Sequence, residues 1–118
     1  MHTILIVDDD PHFRAQAREL LAADGFDVVG EAADGASGLA AASSLAPEFV
    51  LLDIGLPDLD GFAVARALAR QAAPPLVVLT SSRDARAYGR RLSDGPALGF
   101  MPKELVSGDA IRALVDAR

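Results

Sequence analysis

The 118-residue sequence contains no cysteine and no tryptophan. Lack of cysteine excludes disulfides, thiolate metal sites and cysteine nucleophiles together. Histidine is scarce too: His2 and His12 are too few for a histidine-rich metal centre. Positive charge is outnumbered, with 11 Lys and Arg against 17 Asp and Glu, for a net charge of −6. A domain of that sign suits neither DNA nor an anionic membrane surface. No apolar run approaches the ~20 residues of a membrane-spanning helix. The start, Met1-His2-Thr3, lacks the basic and apolar regions of a signal peptide, so the expectation is a soluble cytoplasmic protein.

What is present points to one α/β domain over residues 1–118. The hydrophobic fraction is 51% and the charged fraction 24%, a globular balance. Alanine is the commonest residue, so the larger apolar side chains must define the core. They fall into short runs: Thr3-Ile4-Leu5-Ile6-Val7, a weak Val28-Val29, Phe49-Val50-Leu51-Leu52, Leu76-Val77-Val78-Leu79 and Leu98-Gly99-Phe100-Met101. Runs without alternation suit strands buried on both faces. The segments between them have helical spacing. Asp10-Pro11 reads as an N-cap and first helical residue, with Phe13, Ala17, Leu20 and Leu21 on one face and Gly25 as the stop. Asp34 caps a second helix through Leu45, and Gly61 to Gln71 forms a third. A fourth is expected from Asp84 to Leu92, weakened by Gly89, and a fifth opens at Ser107 with Ile111, Leu114 and Val115 inward. Five strands alternating with five helices predict a parallel, doubly wound sheet with helices on both faces.

In such sheets functional groups gather at the carboxyl ends of the strands. The first strand ends in Asp8-Asp9-Asp10, the third in Asp53, the fourth in Thr80-Ser81-Ser82, and Lys103 follows the fifth. Polar residues are ordinary at any one strand end. Carboxylates at two ends, a hydroxyl at another and a lysine at the last are a chemical set. Clustered carboxylates repel unless a cation sits among them, and Mg²⁺ prefers such oxygen ligands. A carboxylate attacking phosphorus forms an aspartyl phosphate, whose oxygens a metal, a hydroxyl and an ammonium can neutralise.

Over its whole length the chain resembles the receiver domain of two-component response regulators. The residues that carry the resemblance are Ile4-Leu5-Ile6-Val7-Asp8-Asp9-Asp10, Leu51-Leu52-Asp53-Ile54-Gly55-Leu56-Pro57-Asp58-Leu59-Asp60-Gly61, Val77-Val78-Leu79-Thr80-Ser81 and Gly99-Phe100-Met101-Pro102-Lys103. Proline four and glycine eight residues after Asp53 form the most specific piece. The resemblance implies the flavodoxin-like strand order 2-1-3-4-5, an order that general fold rules attach to a chemotaxis receiver.

By the same resemblance, Asp53 is the phosphoacceptor, and Asp8, Asp9, Asp53 and the Gly55 carbonyl hold Mg²⁺. Thr80 donates to the phosphoryl group, Lys103 pairs with it, and Phe100 is the aromatic switch that follows Thr80. The side chains at positions 55 and 82, here Gly55 and Ser82, flank the path of the hydrolytic water. The implied donor is a sensor histidine kinase or phosphotransfer protein. The face formed by the fourth helix, fifth strand and fifth helix would meet a second copy or an output domain. The implied role is a switch that catalyses only its own phosphorylation and dephosphorylation. Two departures stand out: Gly55 replaces a usually larger side chain, and Glu104 replaces the proline that commonly follows the lysine. Pro102-Lys103-Glu104-Leu105 is closer to receivers that precede helix-turn-helix domains, so a longer regulator and a stand-alone receiver both remain open.

Other acids have plainer readings. Asp10 is a helix cap, Asp58 and Asp60 belong to a turn, Glu31 and Glu48 are expected in solvent, and His12 is expected at the surface. The arginines Arg83, Arg86, Arg90 and Arg91 read as a solvated face or a docking surface. Two alternatives remain. A haloacid-dehalogenase-type phosphatase would use Asp8 as nucleophile with Thr80 and Lys103, but leaves Asp53 to Gly61 unexplained. A receiver-like interaction module would signal without phosphorylation.

Overall fold

The apolar runs become strands. In a computed structural model, which describes residues 1–118, these are β1 (Thr3–Val7), β2 (Asp27–Ala32), β3 (Phe49–Asp53), β4 (Leu76–Ser81) and β5 (Gly99–Pro102). They form one parallel sheet in the order β2-β1-β3-β4-β5. The helices are α1 (Pro11–Ala23), α2 (Gly35–Leu45), α3 (Gly61–Ala69), α4 (Arg91–Asp94) and α5 (Gly108–Asp116).

Burial on both faces explains the missing alternation. Ile4, Ile6 and Leu51 pack with Phe13, Ala17 and Leu21 of α1 and Ile111 of α5. Leu5, Val7 and Leu52 face the other way, onto Ala42 of α2 and Val64 and Leu68 of α3. Each of the Val, Leu, Ile and Phe side chains among them contributes about 1.5–3 kcal/mol by leaving water. The weak sequence signal at β2 has a matching cause. β2 is an edge strand whose middle residues are only half-buried, so little apolar side chain is required of it.

Caps fix where the helices start. The carboxylates of Asp10, Asp34 and Asp60 accept from backbone N–H groups at the starts of α1, α2 and α3, and the Ser107 hydroxyl does so for α5. Each cap is worth about 1 kcal/mol.

The expected fourth helix from Asp84 to Leu92 does not form. Asp84 caps a 3-10 turn, Ala85–Ala87, and α4 is the single turn Arg91–Asp94. Gly89 lies between them at φ +58°, a left-handed conformation that interrupts a right-handed helix.

Candidate functional site

The carboxyl ends of β1, β3 and β4 and the start of the turn after β5 meet at one edge of the sheet. Register sets this up, since Asp53 pairs with Thr80 and Val7 with Leu52 in adjacent strands. Gly61 shapes the loop after Asp53. A Cβ there would fall 2.6 Å from the Asp53 carbonyl oxygen, and the Gly61 N–H donates to Ile54 O at 3.0 Å. The glycine of the signature is therefore a close-approach residue, which lets α3 start directly beneath the strand end.

Asp8, Asp9 and Asp53 each present an oxygen within 4.8 Å of the others. Asp8 is fully buried, Asp53 nearly so, and Asp9 is exposed. Asp8 Oδ1 accepts the Asp10 N–H at 2.9 Å, and Asp8 Oδ2 pairs with Lys103 Nζ at 2.9 Å. Asp53 Oδ1 accepts the Gly55 N–H at 3.1 Å, and its Oδ2 lies 3.6 Å from Lys103 Nζ. The lysine stem lies against α1, with Nζ 4.8 Å from the Phe13 ring centre.

Electrostatics follow from this crowding. Burial and then the Asp8 charge push the Asp53 carboxyl above its usual range, against the Gly55 N–H and Lys103. Burial pulls the Lys103 ammonium down, but its hydrogen bond to Asp8 and the charges of Asp53, Asp8 and Asp10 outweigh that and hold it above normal. One ammonium faces three carboxylates, so the pocket has a local excess of negative charge. An all-oxygen donor set with one exposed member fits a hard divalent cation that keeps part of its water shell.

The Thr80 hydroxyl is fully buried and has no hydrogen-bond partner. An orphaned buried hydroxyl costs about 1–3 kcal/mol, and this one is free to donate to a group entering the pocket. Phe100 is half-buried beside Tyr88, with ring centres 6.2 Å apart. Gly55 and Ser82 are both exposed. A Cβ on Gly55 would stand 3.9 Å from Asp53 Oδ1 and meet nothing nearer.

Several supporting residues escape a sequence reading. Arg14 Nη1 donates to the Asp8 carbonyl at 2.7 Å, and its Nε pairs with Glu31 at 3.1 Å. Glu31 is thus not a free solvated acid; Arg18 pairs with it as well, and the two arginines hold its carboxyl below the usual range despite opposing desolvation. Glu48 likewise binds His2, at 2.7 Å. Asp58 does more than close its own turn. Its oxygens accept from Gly35 N at 2.7 Å and Ala36 N at 3.0 Å, tying the loop after β3 to the start of α2. Tyr88 hydrogen-bonds Ser81 Oγ at 2.6 Å and stands between Phe62 and Phe100. The signal for Arg14 was its place one turn before Arg18 on the first helix; Tyr88, a lone aromatic in a polar segment, gave none.

The sequence and the fold both have relatives among known proteins. The family model described as the response regulator receiver domain matches residues 4–116. A transcriptional regulator of Pseudomonas aeruginosa is 41% identical over 104 residues, 87% of this chain and 50% of that protein. The transcription regulator BvgA of Bordetella pertussis is 37% identical over 100 residues, 85% of this chain and 48% of that protein. The chain spans about half the length of these curated relatives. The signal receiver domain of the response regulator NarL from Mycobacterium tuberculosis superposes with a TM-score of 0.84 at 34% identity, covering 98% of this chain and 94% of that one.

Proposed function

Because this chain belongs to the receiver domains of two-component response regulators, we propose that it is a phosphorylation-activated switch, a single receiver domain over residues 1–118, with Asp53 as the phosphoacceptor. The observation that carries the reading is a buried carboxylate, Asp53, sharing one lysine with a second buried acid and paired in register with a residue whose hydroxyl is unpartnered.

In the proposed reaction an Asp53 carboxylate oxygen attacks the phosphorus of a phosphohistidine on a sensor kinase or phosphotransfer protein. The P–O bond forms as the P–N bond breaks, and the imidazole leaves. Lys103 pairs with the charge on the transferring group, and the Thr80 hydroxyl donates to another of its oxygens. Asp8, Asp9, Asp53 and the Gly55 carbonyl would hold Mg²⁺, which supplies charge neutralisation at the phosphoryl oxygens. Hydrolysis reverses the state: water attacks phosphorus, and carboxylate and inorganic phosphate separate. Gly55 and Ser82 border that approach.

Donation from Thr80 draws its side chain toward Asp53 and frees space for Phe100 to turn inward. The surface of α4, β5 and α5 then changes what it offers to a second copy or to an output domain, as suits transcription regulators about twice this length. The cytoplasm is the compartment where a kinase and such an output meet.

The rival in which Asp8 is the nucleophile relies on the more enclosed of the two acids, the one bonded more closely to Lys103, and leaves the Asp53-to-Gly61 segment without a role. Intact mass separates the two after incubation with Mg²⁺ and a small phosphodonor such as acetyl phosphate. Wild type should gain one phosphoryl mass and Asp53→Asn none; labelling that survives in Asp53→Asn and is lost in Asp8→Asn would overturn the assignment. Mg²⁺ should also stabilise the fold, by about 1.4 kcal/mol at ten times its Kd, and less in Asp9→Asn.

A further inference from the structure

Charge is unevenly distributed along the chain. Residues 61 to 93 hold six of the 11 cationic side chains and a single acid, Asp84, although the net charge is −6. That basic stretch borders a groove of about 310 Å³ between α3 and α4. Its floor is apolar, made by Phe62, Leu79 and Ala97, and its rim carries Arg66, Arg90 and Arg91, with Asp94 as the one rim acid. Arg91 is committed within the protein: its guanidinium lies 2.6 Å from Asp60 and 4.1 Å above the Phe62 ring. Arg66 and Arg90 are exposed and make no ion pair.

We propose that this groove docks an acidic polypeptide segment, with one large apolar side chain seated on Phe62 and Leu79 and flanking carboxylates on Arg66 and Arg90. Size and charge layout select this occupant. The volume is at the lower limit for a small-molecule site, and such sites enclose their ligand with converging polar groups. Here Arg66 and Arg90 stay out on the rim of an apolar floor that Arg91 partly covers, the anchor-and-rim layout of a protein interface. The excess of arginine on a chain otherwise rich in acid selects a partner of negative charge. None of Asp8, Asp9, Asp53, Thr80 and Lys103 lines the groove, so the proposal does not rest on phosphorylation.

The test is a titration of the full ¹⁵N-labelled chain with a short synthetic peptide of glutamates around one central phenylalanine, followed by amide chemical shifts. Shifts should cluster at Phe62, Ala65, Leu79 and Ala97. An otherwise identical peptide with central alanine should bind about tenfold more weakly or worse, because the aromatic anchor is lost. The double variant Arg66→Glu with Arg90→Glu, both at exposed positions, should lose binding while its spectrum stays folded. Equal binding of the alanine peptide would reduce the site to bare charge attraction and overturn the proposal. So would shifts centred on Asp53, shifts produced by concentrating the chain without peptide, or binding by a lysine-flanked peptide of equal strength.

Discussion

Lys103 Nζ lies 2.9 Å from Asp8 Oδ2 and is the only partner that this buried oxygen has. The Asp8 side chain is 1% exposed, so the pair is shielded from solvent on the acid side. Removing one partner of such a pair leaves an uncompensated buried charge, which costs about 3–5 kcal/mol when both ends are enclosed. Lys103 keeps 18% of its side-chain exposure, so the lower end applies. Lys103→Met should therefore destabilise the fold by about 3 kcal/mol in denaturant unfolding. Adding Asp8→Asn should recover most of that loss. A double variant no more stable than Lys103→Met would show that the lysine acts through something other than Asp8.

Asp53 gives a pH dependence of opposite origin. Its carboxyl sits above the usual range because burial and Asp8 disfavour the charge. Between its unfolded and folded values the native state binds more protons, so this group lowers stability as pH rises through that window. The penalty is then complete at neutral pH. With divalent ions chelated, Asp53→Asn should melt several degrees above wild type at pH 7, and the gap should close as pH falls into the carboxylate range. A gap that widens on acidification would contradict the geometry around Asp53.

Thr80 offers a cleaner substitution. Its hydroxyl is buried and unpartnered, and valine has nearly the same shape. Thr80→Val should raise stability by about 1 kcal/mol, or about 4 °C in melting temperature for a chain of this size. The same variant should blunt the change in amide exchange that beryllofluoride induces in wild type between Arg83 and Lys103. Full retention of that change would remove Thr80 from the proposed switch.

Gly55 is proposed to leave the approach to Asp53 open. A side chain there starts 3.9 Å from Asp53 Oδ1 and finds open space beyond. Gly55→Met should cover the approach to phosphorus and slow loss of the phosphoryl group, by about tenfold at most, or ~1.4 kcal/mol of barrier. The decay of phosphorylated protein in excess Mg²⁺, after donor removal, measures it. Faster decay would mean that position 55 does not overhang the attack path.

The strands and caps were legible because their causes are local. Two-sided burial writes itself as uninterrupted apolar runs in β1, β3 and β4, and Asp10, Asp34 and Ser107 cap the residues next to them. The carboxylates, the hydroxyl and the lysine were legible because strand ends of a parallel sheet share one edge. The rest depends on contacts between distant residues. Nothing around Asp58 announces that it will cap α2, 22 and 23 residues away. Glu31 looks solvated until α1 lays Arg14 and Arg18 beside it. The segment after β4 failed for a different reason: its spacing suits a helix, but Gly89 takes a left-handed conformation and splits it.

The hydrogen bond between Tyr88 and Ser81 also has an optical consequence. The chain has one tyrosine and no tryptophan, so emission excited at wavelengths beyond the phenylalanine absorption band comes from Tyr88 alone. That phenol is bonded to the residue next to Thr80 and its ring neighbours Phe100. Any rearrangement that parts the phenol from Ser81, or moves Phe100 away from it, changes the environment of the sole tyrosine. The protein thus carries an intrinsic, label-free reporter at the junction between its acidic pocket and its α4–β5 surface.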